Sequence, residues 1–231
     1  MTFSFRESPI FITGAARSGT SLVSGIVHKC GAWGGDMRGE TRYNPKGMFE
    51  NKAIINEIIK PYLREWNCDP LGQLPLPKTE AINLISEKEG PIVRNRVLEI
   101  IKSEGYNSSQ VWFAKAAKFC LMWPIWAKAF PLARWIIVRR NADDIVRSCL
   151  KTGFMRGYSS AHGWCKWVAK HERLFDEMHD ACLNIREIWP QEIINGDMSK
   201  IKALICDFGL DWQETGVLSF VDPGLWKRKI K

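Results

Sequence analysis

A short apolar run that ends at a glycine-rich turn constrains this chain more than any other feature. Ile10-Phe11-Ile12-Thr13 leads into Gly14-Ala15-Ala16-Arg17-Ser18-Gly19-Thr20-Ser21, and Leu22, Val23, Ile26 and Val27 then recur at helical spacing through Lys29. The first run reads as a buried strand and the second as a helix, with the turn between them. A helix amino end preceded by such a turn offers unpaired backbone amides to an anion. In the nucleoside-triphosphate version the pattern is GxxxxGK[ST], and its lysine reaches the terminal phosphates. Here Gly14 and Gly19 keep the glycine positions, Thr20 stands where the lysine would be, and the cation has moved inside the loop to Arg17. The loop is therefore read as a site for a phosphorylated nucleotide, with Gly14, Ala16, Arg17, Ser18, Gly19, Thr20 and Ser21 as its contacts. A glycine-rich strand-to-helix turn without a ligand is the alternative.

Strands and helices alternate along the rest of the chain. Strand candidates lie at Val111–Ala114, Arg134–Val138 and Leu183–Ile188. Helices are expected at Phe49–Lys60, ended by Pro61, and at Thr79–Glu89, Pro91–Glu104, Trp123–Phe130, Ala142–Leu150, Ser160–Cys182 and Met198–Phe208. The glycine-rich stretch from Gly31 to Gly47 is expected to be a long functional loop. The alternation calls for an α/β three-layer sandwich, a central parallel sheet flanked by helices in the manner of P-loop NTPases, with ligands at the carboxyl ends of the strands. With 231 residues, 45% of them hydrophobic, one domain spanning the chain is expected.

The formal net charge of +8 calls for an anionic partner but does not choose among nucleic acid, a membrane surface and a charged small molecule. Seven cysteines, scattered singly, suit neither a disulfide framework nor a zinc site. No run is apolar enough to span a bilayer and Met1–Ser8 lacks the marks of a secretory signal, so a cytoplasmic protein is expected.

Arg-Ser-Gly-Thr-Ser after a strand resembles the 5′-phosphosulfate loop of the sulfotransferases, whose donor is 3′-phosphoadenosine 5′-phosphosulfate (PAPS). A second motif of that family is a strand ending in arginine, then a helix with a serine eight positions on, the pair binding the donor's 3′-phosphate. Arg140 and Ser148 stand at that separation. The Asn44-Pro45-Lys46-Gly47-Met48-Phe49-Glu50 loop, the Trp112–Lys118 strand before Pro124, Ile193–Asp197 and the terminal Val221–Arg228 stretch are similar to further family segments. The last of these implies Lys227 and Arg228 as donor contacts. The chain departs from the family at Lys115-Ala116-Ala117-Lys118, where many relatives have Lys-Asp-Pro-Arg and others Lys-x-His, and at Leu22, where the adenine-stacking tryptophan of the cytosolic members is missing.

The resemblance implies sulfuryl transfer from PAPS to a hydroxyl or amine acceptor, with no nucleic-acid partner and no metal. Such transfer needs an in-line pose, a base for the acceptor proton and cations on the departing phosphate. Arg17 and Lys115 are the candidate cations and Glu50 the candidate base; an edge lysine and a helix-start carboxylate are the plainer readings of the latter two. His28 and His162 are reserve bases. Trp33, Trp123, Trp126, Trp164 and Trp167 are read as core before pocket. Arg17 and Arg140 are expected to form two separate cationic pockets at opposite ends of one adenosine ligand. A P-loop kinase of a small molecule and a non-catalytic polyanion-binding module remain the alternatives.

Overall fold

The computed structural model describes residues 8–227. Four parallel strands form one sheet in the order β2-β1-β3-β4, with β1 at Ile10–Thr13, β2 at Phe113–Lys115, β3 at Arg134–Val138 and β4 at Asn184–Ile188. The central strands are buried on both faces, which is why they read as continuous apolar runs. Alternation decides which layer each residue joins. Phe11, Ala114, Trp135 and Ile137 pack into a core with the helices α2 (Lys60–Glu65), α3 (Thr79–Ser103) and α4 (Trp123–Ala129). Ile10, Ile12, Phe113, Ile136 and Val138 face the other way, against α1 (Thr20–Lys29), α8 (Ser199–Asp207) and α9 (Glu214–Phe220). A third cluster joins Ala15 of the first loop to α5 (Ala142–Lys151) and α6 (Ala161–Asp180), and the short α7 (Pro190–Ile194) and α10 (Pro223–Lys227) complete the chain. The architecture is the expected α/β sandwich with a parallel sheet between helical layers.

Two prolines that read as breaks do not end helices. The helix expected to stop at Pro61 continues to Glu65, because Ile54–Ile59 adopts the wider π geometry and hands over to α2 with the Lys60 amide bonded to the Ile55 carbonyl. Proline removes the donor that would meet the Glu57 carbonyl, and the Arg96 guanidinium supplies one instead at 2.5 Å. The two helices expected around Pro91 are one, α3, with Ile82, Ser86, Gly90, Val93, Val97 and Ile101 along its buried stripe. Pro91 and Glu87 lie on its exposed side, so water meets the freed carbonyl. Gly90 lets α4 approach so closely that a Cβ there would stand 2.6 Å from that of Lys128.

The register brings three strand ends to one place. Ile12 is paired with Lys115 and Thr13 with Ile137, so the carboxyl ends of β1, β2 and β3 lie side by side. β1 has β2 on one side and β3 on the other, a change of winding direction of the kind that opens a crevice at strand carboxyl ends. Among the described residues no helix is long and apolar enough to cross a membrane.

Candidate functional site

The turn between β1 and α1 is shaped for close approach. A Cβ on Gly14 would lie 2.6 Å from the Val138 carbonyl oxygen, so the chain can leave β1 against the end of β3 only as glycine. Gly19 sits at φ 103, and a Cβ there would meet Pro190 and Trp226 at 2.9 Å. No side chain caps α1 and no acid stands in its first turn, so the amides of that turn keep their positive end free. Ser18 is fully buried and its hydroxyl has no hydrogen-bond partner among the described residues. A buried hydroxyl without a partner costs about 1–3 kcal/mol, which an incoming acceptor oxygen would recover.

Arg17 adopts φ 75, unusual for a residue with a side chain, and its carbonyl and guanidinium face different partners. Its Nε donates to Ser148 Oγ at 3.0 Å, while Arg140 donates to the Arg17 carbonyl at 2.8 Å. Arg140 stacks at 4.1 Å on the ring of Trp226, whose indole N–H is fixed by Gln191 at 2.8 Å. The pockets expected to be separate are one cationic cluster, because the Arg17 side chain crosses from the loop to α5. Burial is the main influence drawing both guanidinium groups below their usual pKa, and at Arg140 the charge of Arg17 adds to it. Arg140 Nε is sealed from solvent and unpaired. Its neighbour Arg139 turns away to Glu172, to Glu187 at 3.1 Å and to the Phe175 ring, a structural role. Asn141 caps α5, the helix that carries Ser148, by accepting from the Asp143 amide at 2.9 Å.

Lys115, the last residue of β2, ends beside this loop. Its Nζ donates to Glu50 Oε1 at 3.1 Å, to the Met48 carbonyl at 3.2 Å and to Ser21 Oγ at 3.4 Å. Both partners are almost fully buried. For Glu50, burial is the largest single influence and raises the pKa. The charges of Lys115, Lys118 and Arg38 with the Lys115 hydrogen bond outweigh it, and the carboxyl is held below its ordinary value. The Glu50 carboxyl is therefore ionised in a dry setting. It precedes the helix rather than belonging to it, and Phe49 before it is held at φ 55. Asn51 anchors the segment by donating to Glu104 at 2.7 Å and accepting from the Ile54 amide at 2.9 Å.

The family model described as the sulfotransferase family matches residues 9–214. The chain belongs to the sulfotransferase family. Its fold is similar to that of the sulfotransferase domain from the Synechococcus PCC 7002 olefin synthase, at a TM-score of 0.58 and 13% identity, covering 97% of this chain and 85% of that one. Sulfotransferase STF1 from Mycobacterium tuberculosis H37Rv aligns at a TM-score of 0.48 and 12% identity, over 96% of this chain and 74% of that one. No curated protein matches the chain.

Other residues singled out from sequence in this family member fall elsewhere. His28 is exposed at the end of α1, a ring nitrogen 3.2 Å from the Ala32 carbonyl, and His162 is exposed in the first turn of α6. Trp123, Trp126, Trp164 and Trp167 are core residues, and Trp33 packs on Tyr106. Lys227 closes α10, and Arg228 lies outside the described residues. Sequence reasoning missed Trp226 and Lys118. The first is a lone aromatic in a polar terminal stretch, and the second differs from an ordinary surface lysine only by its burial.

Proposed function

We propose that this sulfotransferase moves a sulfuryl group from PAPS to a hydroxyl or amine acceptor, in line and without a metal. The observation that carries the reading is the meeting of the Arg17 guanidinium with Ser148 beneath Arg140. The loop cation, the strand-end arginine and the helical serine thereby serve one ligand that is anionic at both its 5′ and 3′ ends. The unpaired Ser18 hydroxyl and Arg140 Nε fit such a ligand. In this reading Gly14, Ala16, Ser18, Gly19, Thr20 and Ser21 hold the 5′ group and Arg140 and Ser148 the 3′-phosphate, with Lys227 and Arg228 as further contacts.

The residues then divide the chemistry. Arg17 and Lys115 stabilise charge on the departing phosphate, and Glu50 takes the acceptor proton. As the acceptor oxygen bonds to sulfur, the bond between sulfur and the phosphate oxygen breaks and its electron pair leaves with the bisphosphate. A sulfuryl group carries less charge than a terminal phosphoryl group, so these cations can do what magnesium does in kinases. Radiolabelled donor, incubated with pooled phenols, alcohols and amines in the presence of a chelator, should give labelled product. Phosphate transfer from magnesium ATP to the same pool, with no sulfate transfer, would overturn the reading in favour of a kinase.

A further inference from the structure

Lys118 is a buried amine that no neighbouring group holds. It lies in the 3₁₀ turn Ala117–Met122 after β2, pinned to the end of β1 where the Cys120 amide donates to Thr13 Oγ1 at 3.1 Å. Its residue surface is 9% exposed, yet it makes no hydrogen bond or ion pair with any described residue. Nor does Nζ belong to the unpaired nitrogens wholly sealed from solvent. Glu50 is the sole buried carboxylate among the described residues and is bonded to Lys115. Two buried ammonium groups thus share one anion. Nearby, Arg38 and Lys60 both donate to the neutral Asn56 oxygen, at 3.1 and 2.9 Å, and pair with no described acid. Unpaired buried charge is costly, and a site of this kind lacks an anion.

The surroundings say which ligand would bring it. The Lys118 stem runs under Gly72, where a Cβ would stand 3.0 Å from Lys118 Cγ. The adjoining Leu71 lines a depression of about 280 Å³ with Tyr43, Gly153, Phe154 and Arg156. That depression lies where the 31–49 and 153–162 loops meet, and neither Arg140 nor Ser148 lines it. We propose that Lys118 binds the acceptor: its ammonium receives a carboxylate or phosphate carried by the same molecule whose hydroxyl meets Glu50. Burial is the main influence lowering the Lys118 pKa, and Lys115, Lys60 and Arg38 act in the same direction against Glu50, so an arriving anion restores the charged form. The acceptor is an anionic hydroxyl compound, and neutral alcohols and phenols of the same shape are poor ones. This assignment rests on Glu50 being the proton acceptor.

Calorimetry on enzyme saturated with adenosine 3′,5′-bisphosphate tests it, using 3-(4-hydroxyphenyl)propionate, 4-hydroxybenzylphosphonate and the neutral 3-(4-hydroxyphenyl)propionamide. At least one anion should bind ten-fold or more tighter than the amide. Lys118→Met should bring them level with bisphosphate affinity unchanged, and Lys118→Arg should keep the preference. Failure of both anions to bind more tightly than the amide, or a preference that survives in Lys118→Met, overturns the proposal. Thermal melts of both variants guard against misfolding. Repeating the comparison without bisphosphate separates the two readings: lost nucleotide binding with an intact anion preference sinks the donor assignment alone.

Discussion

Removing the Glu50 carboxylate should destabilise this protein more than removing its ion-pair partner. At 3.1 Å and an effective dielectric constant of about 20, the Glu50–Lys115 attraction is about 5 kcal/mol. Breaking a buried pair by deleting one member costs about 3–5 kcal/mol, since the survivor stays buried and unpaired. The survivors differ here. Lys115→Met leaves Glu50 in the field of Lys118, whereas Glu50→Gln leaves Lys115 and Lys118 facing each other with no buried acid. Urea unfolding at neutral pH should therefore show a cost near the top of that range for Glu50→Gln and at or below its bottom for Lys115→Met. The double variant should lie closer to wild type than the sum of the singles. Equal costs, the opposite order, or losses under about 1 kcal/mol as at an exposed pair would refute the reasoning. In the same variants, Glu50→Gln should keep bisphosphate affinity while turnover collapses.

Arg140→Ala and Ser148→Ala should each weaken adenosine 3′,5′-bisphosphate about 10- to 100-fold by calorimetry, the scale of a hydrogen bond to a charged group, and leave adenosine 5′-phosphate nearly unaffected. Equal losses on both nucleotides would break the 3′-phosphate assignment. Gly19→Ala should abolish nucleotide binding in protein that still folds, because a Cβ at φ 103 drives into Pro190 and Trp226; retained affinity would contradict it. His171 is buried with its Nδ1 2.9 Å from the Trp167 carbonyl, and burial lowers its pKa from 6.5 to about 4. The folded state therefore binds fewer protons there than the unfolded state, and about 3 kcal/mol of stability is lost as pH falls from 6.5 to 4. Urea midpoints of His171→Gln should fall less over that window than those of wild type; parallel curves would refute it.

The fold was readable where one residue's chemistry settles local geometry. The glycines at 14 and 19 mark the loop, and unbroken apolar runs mark central strands. The strand-end Arg140 and the helical Ser148 were legible because Arg140 closes an apolar run just before Asn141 caps α5, the helix that carries Ser148. What escaped sequence reasoning depends on tertiary neighbours. Pro61 continues its helix because Arg96, from a distant helix, meets the Glu57 carbonyl. Arg17 merges two expected pockets through a side-chain reach that spacing does not encode. Trp226 covers Gly19 only because α10 folds back on the loop, and Lys118 differs from a surface lysine only through the turn that buries it.

The central claim is that one ligand, anionic at both its 5′ and 3′ ends, engages Arg17, Arg140 and Ser148 together. Calorimetry in magnesium-free buffer tests it most directly. Adenosine 3′,5′-bisphosphate should bind at least ten-fold more tightly than adenosine 5′-phosphate. Equal affinity for the two, or tight binding confined to magnesium ATP, would contradict the account.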